Sequence, residues 1–172
     1  HAMSSSLWRV LMVLLLWALP APALAGRHLE TTHFYIYCRE IEYRNGTIKD
    51  ADLTRWGSWL EASYTKLVDD MGFKAPYHPI AEDRKIKILV HSFAESDDYK
   101  DRALNPGFAV IATGLIHLNR VNYVDHTRDE ANQCTIAHEF FHLIQYAYDK
   151  REEAWLMEAT ARWAPEQVFP AL

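Results

Sequence analysis

The stretch from Asp129 to Tyr148 constrains this chain more than any other. Its apolar residues recur at helical spacing. Ala137, Phe140, Phe141, Ile144 and Tyr148 line one broad side, and Ile136 and Leu143 add apolar surface elsewhere. A helix apolar around so much of its circumference is stable only when buried on most sides. The rest of the chain must supply that cover. At 172 residues it is long enough to do so within one domain that has a real core. With 49% hydrophobic and 24% charged residues, the composition is globular and not disordered.

Other elements are legible on either side of this helix. Residues 33–38, 85–90, 108–112 and 114–118 are short, rich in β-branched and aromatic side chains, and read as strands. Gly114 would suit a bulge or the close approach of another backbone. Residues 50–71 read as a helix, because Leu53, Trp56, Leu60, Tyr64, Leu67 and Met71 recur on one face. Asp50 suits its start and Gly72 its end. Residues 91–104 are polar and read as a long loop or short helix. After the central helix, Asp149-Lys150-Arg151 forms a short turn, and residues 152–168 read as a second helix that doubles back on the first.

The formal net charge is −5 and no Lys/Arg block stands out, so nothing favours nucleic acid as a partner. Residues 1–2, ahead of Met3, read as a cloning scar. From Met3 there follow a polar start ending at Arg9, an apolar run over 10–19, Pro20 and Pro22, and Ala23-Leu24-Ala25 before Gly26. This is the three-part layout of a secretory signal peptide at 3–25, cut after Ala25. The apolar run falls short of the roughly 20 residues that span a membrane. The expectation is a secreted or periplasmic protein with no stable membrane anchor after cleavage, its mature domain being 26–172. In an oxidising compartment Cys38 and Cys134 are candidates for a disulfide, although spacing alone does not place their α-carbons within reach.

Chemistry concentrates in His138-Glu139-Phe140-Phe141-His142. Four residues of helix advance about 6 Å and return to nearly the same face, so both imidazoles can reach one ion. Zinc accepts neutral imidazole nitrogen at about 2.0–2.1 Å. Glu139 stands about 100° around the helix from His138, beside such an ion and not on it. There a carboxylate can take a proton from water held by the metal.

A catalytic zinc also needs a third protein ligand. In the pattern HExxHxxGxxH it is a further His, but Gln145 and Tyr148 stand at the Gly and last His positions. The remaining source is a carboxylate on the following helix. Within Trp155-Leu156-Met157-Glu158-Ala159-Thr160-Ala161-Arg162-Trp163, Glu158 is flanked by Ala159 and Ala161, and small side chains let two helices approach. Its rivals are Asp149, Glu152, Glu153 and Glu166, the first three in or near the turn, where they would be solvated. Cys134 lies one turn before His138 on the same face. A thiolate there would compete with the water position, so a disulfide or a buried thiol suits it better than a sulfur ligand. His117 and His126 are candidates to sit near the cleft, whereas His28, His33, His78 and His91 read as ordinary surface or core residues.

Through His138-Glu139-Phe140-Phe141-His142 and Trp155-x-x-Glu158-Ala159-Thr160-Ala161, the chain resembles the gluzincins, the thermolysin-like zinc peptidases. It most resembles secreted bacterial metallopeptidases in which HExxH is followed closely by a glutamate helix. The resemblance covers roughly residues 32–168, with its specific motifs in the last part. It implies an α/β (α+β) zincin-like fold with a small mixed β-sheet, a backing helix, an active-site helix and a following glutamate helix. It implies zinc held by His138, His142 and Glu158, with Glu139 as general base, and a peptide or protein substrate bound along an edge strand within 107–119. The chain departs from the pattern at Met157, where thermolysin has Asn, and in its short spacing from His142 to Glu158. It also ends soon after the glutamate helix, where the family usually continues into a lower subdomain, so a truncated form or a minimal member is expected. No residue can be assigned to oxyanion stabilisation from sequence. The second reading is a secreted, zinc-stabilised peptide- or protein-binding module with a peptidase-like fold and no catalysis. The third is an exported α/β domain without metal.

Overall fold

A computed structural model of the chain describes residues 26–39, 43–44, 46–76, 85–110 and 112–171. The expected scar at 1–2, the expected signal peptide at 3–25 and His78 lie outside the described residues.

Five strands form one mixed sheet: β1 (Gly26–Glu30), β2 (Phe34–Arg39), β3 (Ile86–His91), β4 (Gly107–Val110) and β5 (Leu115–Asn119). Their order is β1-β2-β3-β5-β4. The inner three run parallel, and each outer strand is antiparallel to its neighbour. Side chains of a strand alternate between faces. Register then places Ile36 beside Ile88 and Ile88 beside Ile116, so one face is a continuous apolar surface. Phe34, Cys38, Ile86, Val90 and Leu118 complete it, all buried in a single core.

The long helices cover that face. α1 (Asp50–Tyr64) continues over Thr65–Asp70 with wider, i to i+5 pairing. Leu53, Trp56, Leu60 and Leu67 of the expected stripe are buried, but Met71 is exposed. Asp50 is not the cap. The Asp52 carboxylate accepts from the Lys49 N–H at 2.9 Å, while Asp50 pairs with Arg27. Gly72 does end the helix, with φ +76°. α2 (Arg120–Tyr123) follows β5 directly, and a 3-10 turn at His126–Arg128 leads into α3 (Asp129–Tyr148), whose bounds match the sequence reading. Phe140 of α3 meets Phe34 of β2 with ring centroids 5.7 Å apart, and Tyr123 meets Trp56 edge-on at 5.8 Å. Each such fully buried side chain is worth about 1.5–3 kcal/mol. The Phe140–Phe34 contact turns that side of α3 to the sheet and so sets the direction in which its histidines point.

Two further expectations are corrected. Residues 152–168 are not one helix but α4 (Ala154–Ala161) and α5 (Ala164–Val168). Pro165 has no N–H to continue the ladder from α4, and it sits instead in the first turn of a new helix. Gly114 is not part of the strand, which begins at Leu115. It takes φ +63° in the turn between β4 and β5, where its N–H bonds the Val110 carbonyl at 2.8 Å. β1 was not read from sequence at all. The chain is thus mixed α/β, built on a five-stranded mixed sheet. Among the described residues, no helix is long and apolar enough to cross a membrane.

Candidate metal centre

His138 and His142 project from α3 one turn apart, and their Nε2 atoms stand 3.1 Å from each other. After the turn at 149–153, α4 folds back and carries Glu158 to them. Its Oε2 lies 3.4 Å from Nε2 of His138, and its Oε1 lies 3.4 Å from Nε2 of His142. Ala161 is fully buried where the helices approach, but Ala159 is exposed, so only one of the two expected small residues serves that contact. Among the described residues, His138, His142 and Glu158 form the one group of this kind that could hold a metal ion. Cys134 and the rival carboxylates Asp149, Glu152, Glu153 and Glu166 are not part of it.

The donor set fits a small divalent cation. Ligands bound tetrahedrally at about 2.0–2.1 Å lie about 3.3–3.4 Å from one another. The two imidazole nitrogens stand 3.1 Å apart, near that edge length, and Glu158 presents a different oxygen to each at 3.4 Å; with one donor atom taken from each residue, the three lie within 4.8 Å of one another. Nitrogen lone pairs and a carboxylate that converge at such distances form a cation-binding set, filled by a proton or by a metal ion. At His138, burial, then the neighbouring His142, holds the pKa below the ordinary value despite Glu158.

Glu139 faces the same space from the next position on α3. It is buried, and burial pushes its carboxyl up to about 7, against a backbone hydrogen bond from Ala109 that favours the charged form. Glu158 adds to the upward push. Such a carboxyl exchanges a proton readily near neutrality. Tyr146, one turn beyond His142, is also buried, and burial with the charges of Glu139 and Glu158 raises its hydroxyl to about 12. It therefore stays protonated and able to donate.

These residues line a cleft of about 820 Å³. α3 and α4 form one wall, and Gly107, Phe108 and Ala109 of the edge strand β4 form the other. Among the described residues, the outer edge of β4 pairs with no other strand, so its position agrees with the expected edge strand within 107–119. Arg102 and Arg162 lie at the cleft without an ion-pair partner among the described residues.

Other sequence readings are redirected. Cys38 and Cys134 are not joined. Cys38 is buried under the helices on β2, where its thiol donates to the Arg27 carbonyl, and Cys134 lines the cleft from α3. His117 is not at the cleft. It is buried on the far face of the sheet with Nδ1 3.1 Å from Nε2 of His91. His126 is exposed and bonds Asp52. Sequence reasoning missed Tyr146 and Gln145. Tyr146 carried a usable signal, since i+4 from His142 puts it on the ligand face. Gln145 carried less, since i+3 from His142 brings it beside that ring but its other partners, Met157 and Thr160, lie on another helix.

A scan against models of protein families, a search of curated proteins and a search of solved structures each returned no match.

Proposed function

We propose that this chain is a zinc-dependent endopeptidase of zincin-like, gluzincin type, acting after export. The observation that carries the reading is the convergence of His138, His142 and Glu158 beside the buried carboxyl of Glu139 on one wall of an open cleft. His138, His142 and Glu158 would hold the ion. Bound there, zinc supplies a Lewis acid that polarises a carbonyl and lowers the pKa of water. Glu139 accepts the proton of the attacking water and returns it to the leaving amine, a role that suits a carboxyl pushed up to about 7. Tyr146 offers a hydroxyl donor to charge that develops in the same space. The free edge of β4 can pair with an extended peptide backbone, which brings a scissile bond over the helix wall. The export reading rests on the N-terminal sequence.

The test is hydrolysis of an unfolded protein substrate by the wild type and by Glu139→Gln. The amide keeps the shape but cannot take the proton, so turnover should fall about 100- to 10,000-fold with zinc retained. A variant as active as the wild type would remove Glu139 from the mechanism. Zinc uptake with no cleavage by either protein would favour the non-catalytic binding module.

A further inference from the structure

The side chain of Gln145 joins the two helices that carry the candidate ligands. Its Nε2 donates to the Met157 carbonyl at 2.9 Å and to Oγ1 of Thr160 at 2.6 Å. A carbonyl only accepts, so the amide nitrogen must face α4 and the amide oxygen must face α3. Thr160 agrees with this, because it spends its own proton on the Leu156 carbonyl at 2.7 Å and has lone pairs left for Gln145. Oε1 of Gln145 then lies 2.7 Å from Nδ1 of His142. An amide oxygen cannot donate, so the proton of this contact belongs to Nδ1. A neutral imidazole has only one N–H. Nε2 of His142 is therefore left with a lone pair, and that is the atom facing His138 and Glu158.

We propose that Gln145 is a positioning residue that fixes His142 as its Nδ1–H tautomer and locks the imidazole helix to the glutamate helix at the level of the ligands. Met157, whose carbonyl it holds, immediately precedes Glu158. One side chain thus orients a ligand on α3 and anchors the backbone of a ligand on α4. Outer partners of this kind set ring orientation and ligand basicity at metal sites. The consequence for zinc rests on the metal reading above, whereas the tautomer does not.

The test has two readouts on the full chain. Nitrogen-15 NMR of the histidines, on chelator-stripped protein at mildly alkaline pH, reports which nitrogen of His142 carries the proton. Competition with a chromophoric chelator reports zinc affinity. The wild type should show the proton on Nδ1. Gln145→Leu should lose that preference and bind zinc about 10- to 100-fold more weakly. Gln145→Glu keeps the acceptor and loses both donors, so it should hold the Nδ1 proton and lose less affinity than the leucine variant. It also decides the matter if the leucine variant does not fold. A wild-type proton on Nε2, or a Gln145→Leu variant with unchanged zinc affinity, would overturn the proposal. An Nδ1 proton in a chain that takes up no zinc would sink the metal reading and leave the positioning of His142 standing.

Discussion

Oε2 of Glu158 lies 3.4 Å from Nε2 of His138, although the two side chains stand on separate helices. The contact exists because α4 turns back along α3, with the small Ala161 of α4 fully buried. It adds a carboxylate to a helical pair of histidines and makes a group of three that could hold a metal ion.

Removing the carboxylate should therefore weaken the site more than removing an outer partner does. Glu158→Ala is expected to lower zinc affinity by more than about 100-fold, read by chelator competition. Glu158→Asp, one methylene short, should fall between the wild type and alanine. Unchanged affinity in the alanine variant would take Glu158 out of the ligand set.

Much of this arrangement was legible because it follows helical periodicity. The bounds of α3 and the shared face of His138 and His142 come from spacing along a helix, whereas Glu158 was preferred over its rivals for its small neighbours and for their place in or near the turn. The features that escaped depend on partners distant in sequence. β1 carries one apolar side chain, Leu29, between polar neighbours, and as a largely exposed edge strand it shows no alternation to read. The break between α4 and α5 was readable in principle from Pro165. The separation of Cys38 from Cys134 was not, since nothing local says that one thiol faces the core and the other the cleft.

The histidines on the far face of the sheet make stability depend on pH. Burial lowers His91 to about 4 and His117 to about 3, helped by the charge of Arg39 at the first and by His91 and Arg102 at the second. Tyr99 and Phe108 pack against His117 there. In the unfolded chain each would titrate at about 6.5. The unfolded state thus binds more protons between about 6.5 and the folded values, and stability falls as pH falls through that window. Each group contributes about 1.4 kcal/mol per pH unit there. Glu139, raised to about 7 in the metal-free fold, works in the opposite direction. Urea unfolding of chelator-treated wild type and His91→Gln at pH 7.5 and 5.0 isolates the histidine. The variant should lose about 2 kcal/mol less than the wild type on acidification. Equal losses would mean that His91 is not held neutral.

Gly57 of α1 reports on the strand that sequence did not reveal. A Cβ added there would stand 3.1 Å from Leu29 Cδ2 and 3.1 Å from Thr31 Cγ2, with Ile36 Cδ1 at 3.4 Å. Gly57→Val should destabilise the fold by about 1–3 kcal/mol through overpacking. The urea midpoint would drop with its slope unchanged. A midpoint equal to that of the wild type would mean that β1 does not pack under α1.

The central claim is that His138, His142 and Glu158 hold zinc, and the most direct measurement is the metal content of the folded chain purified without chelator. Elemental analysis should find about one zinc per chain, lost in His138→Ala and His142→Ala. Trace metal only, with none taken up on titration, would contradict it and leave the histidine pair without a metal to serve.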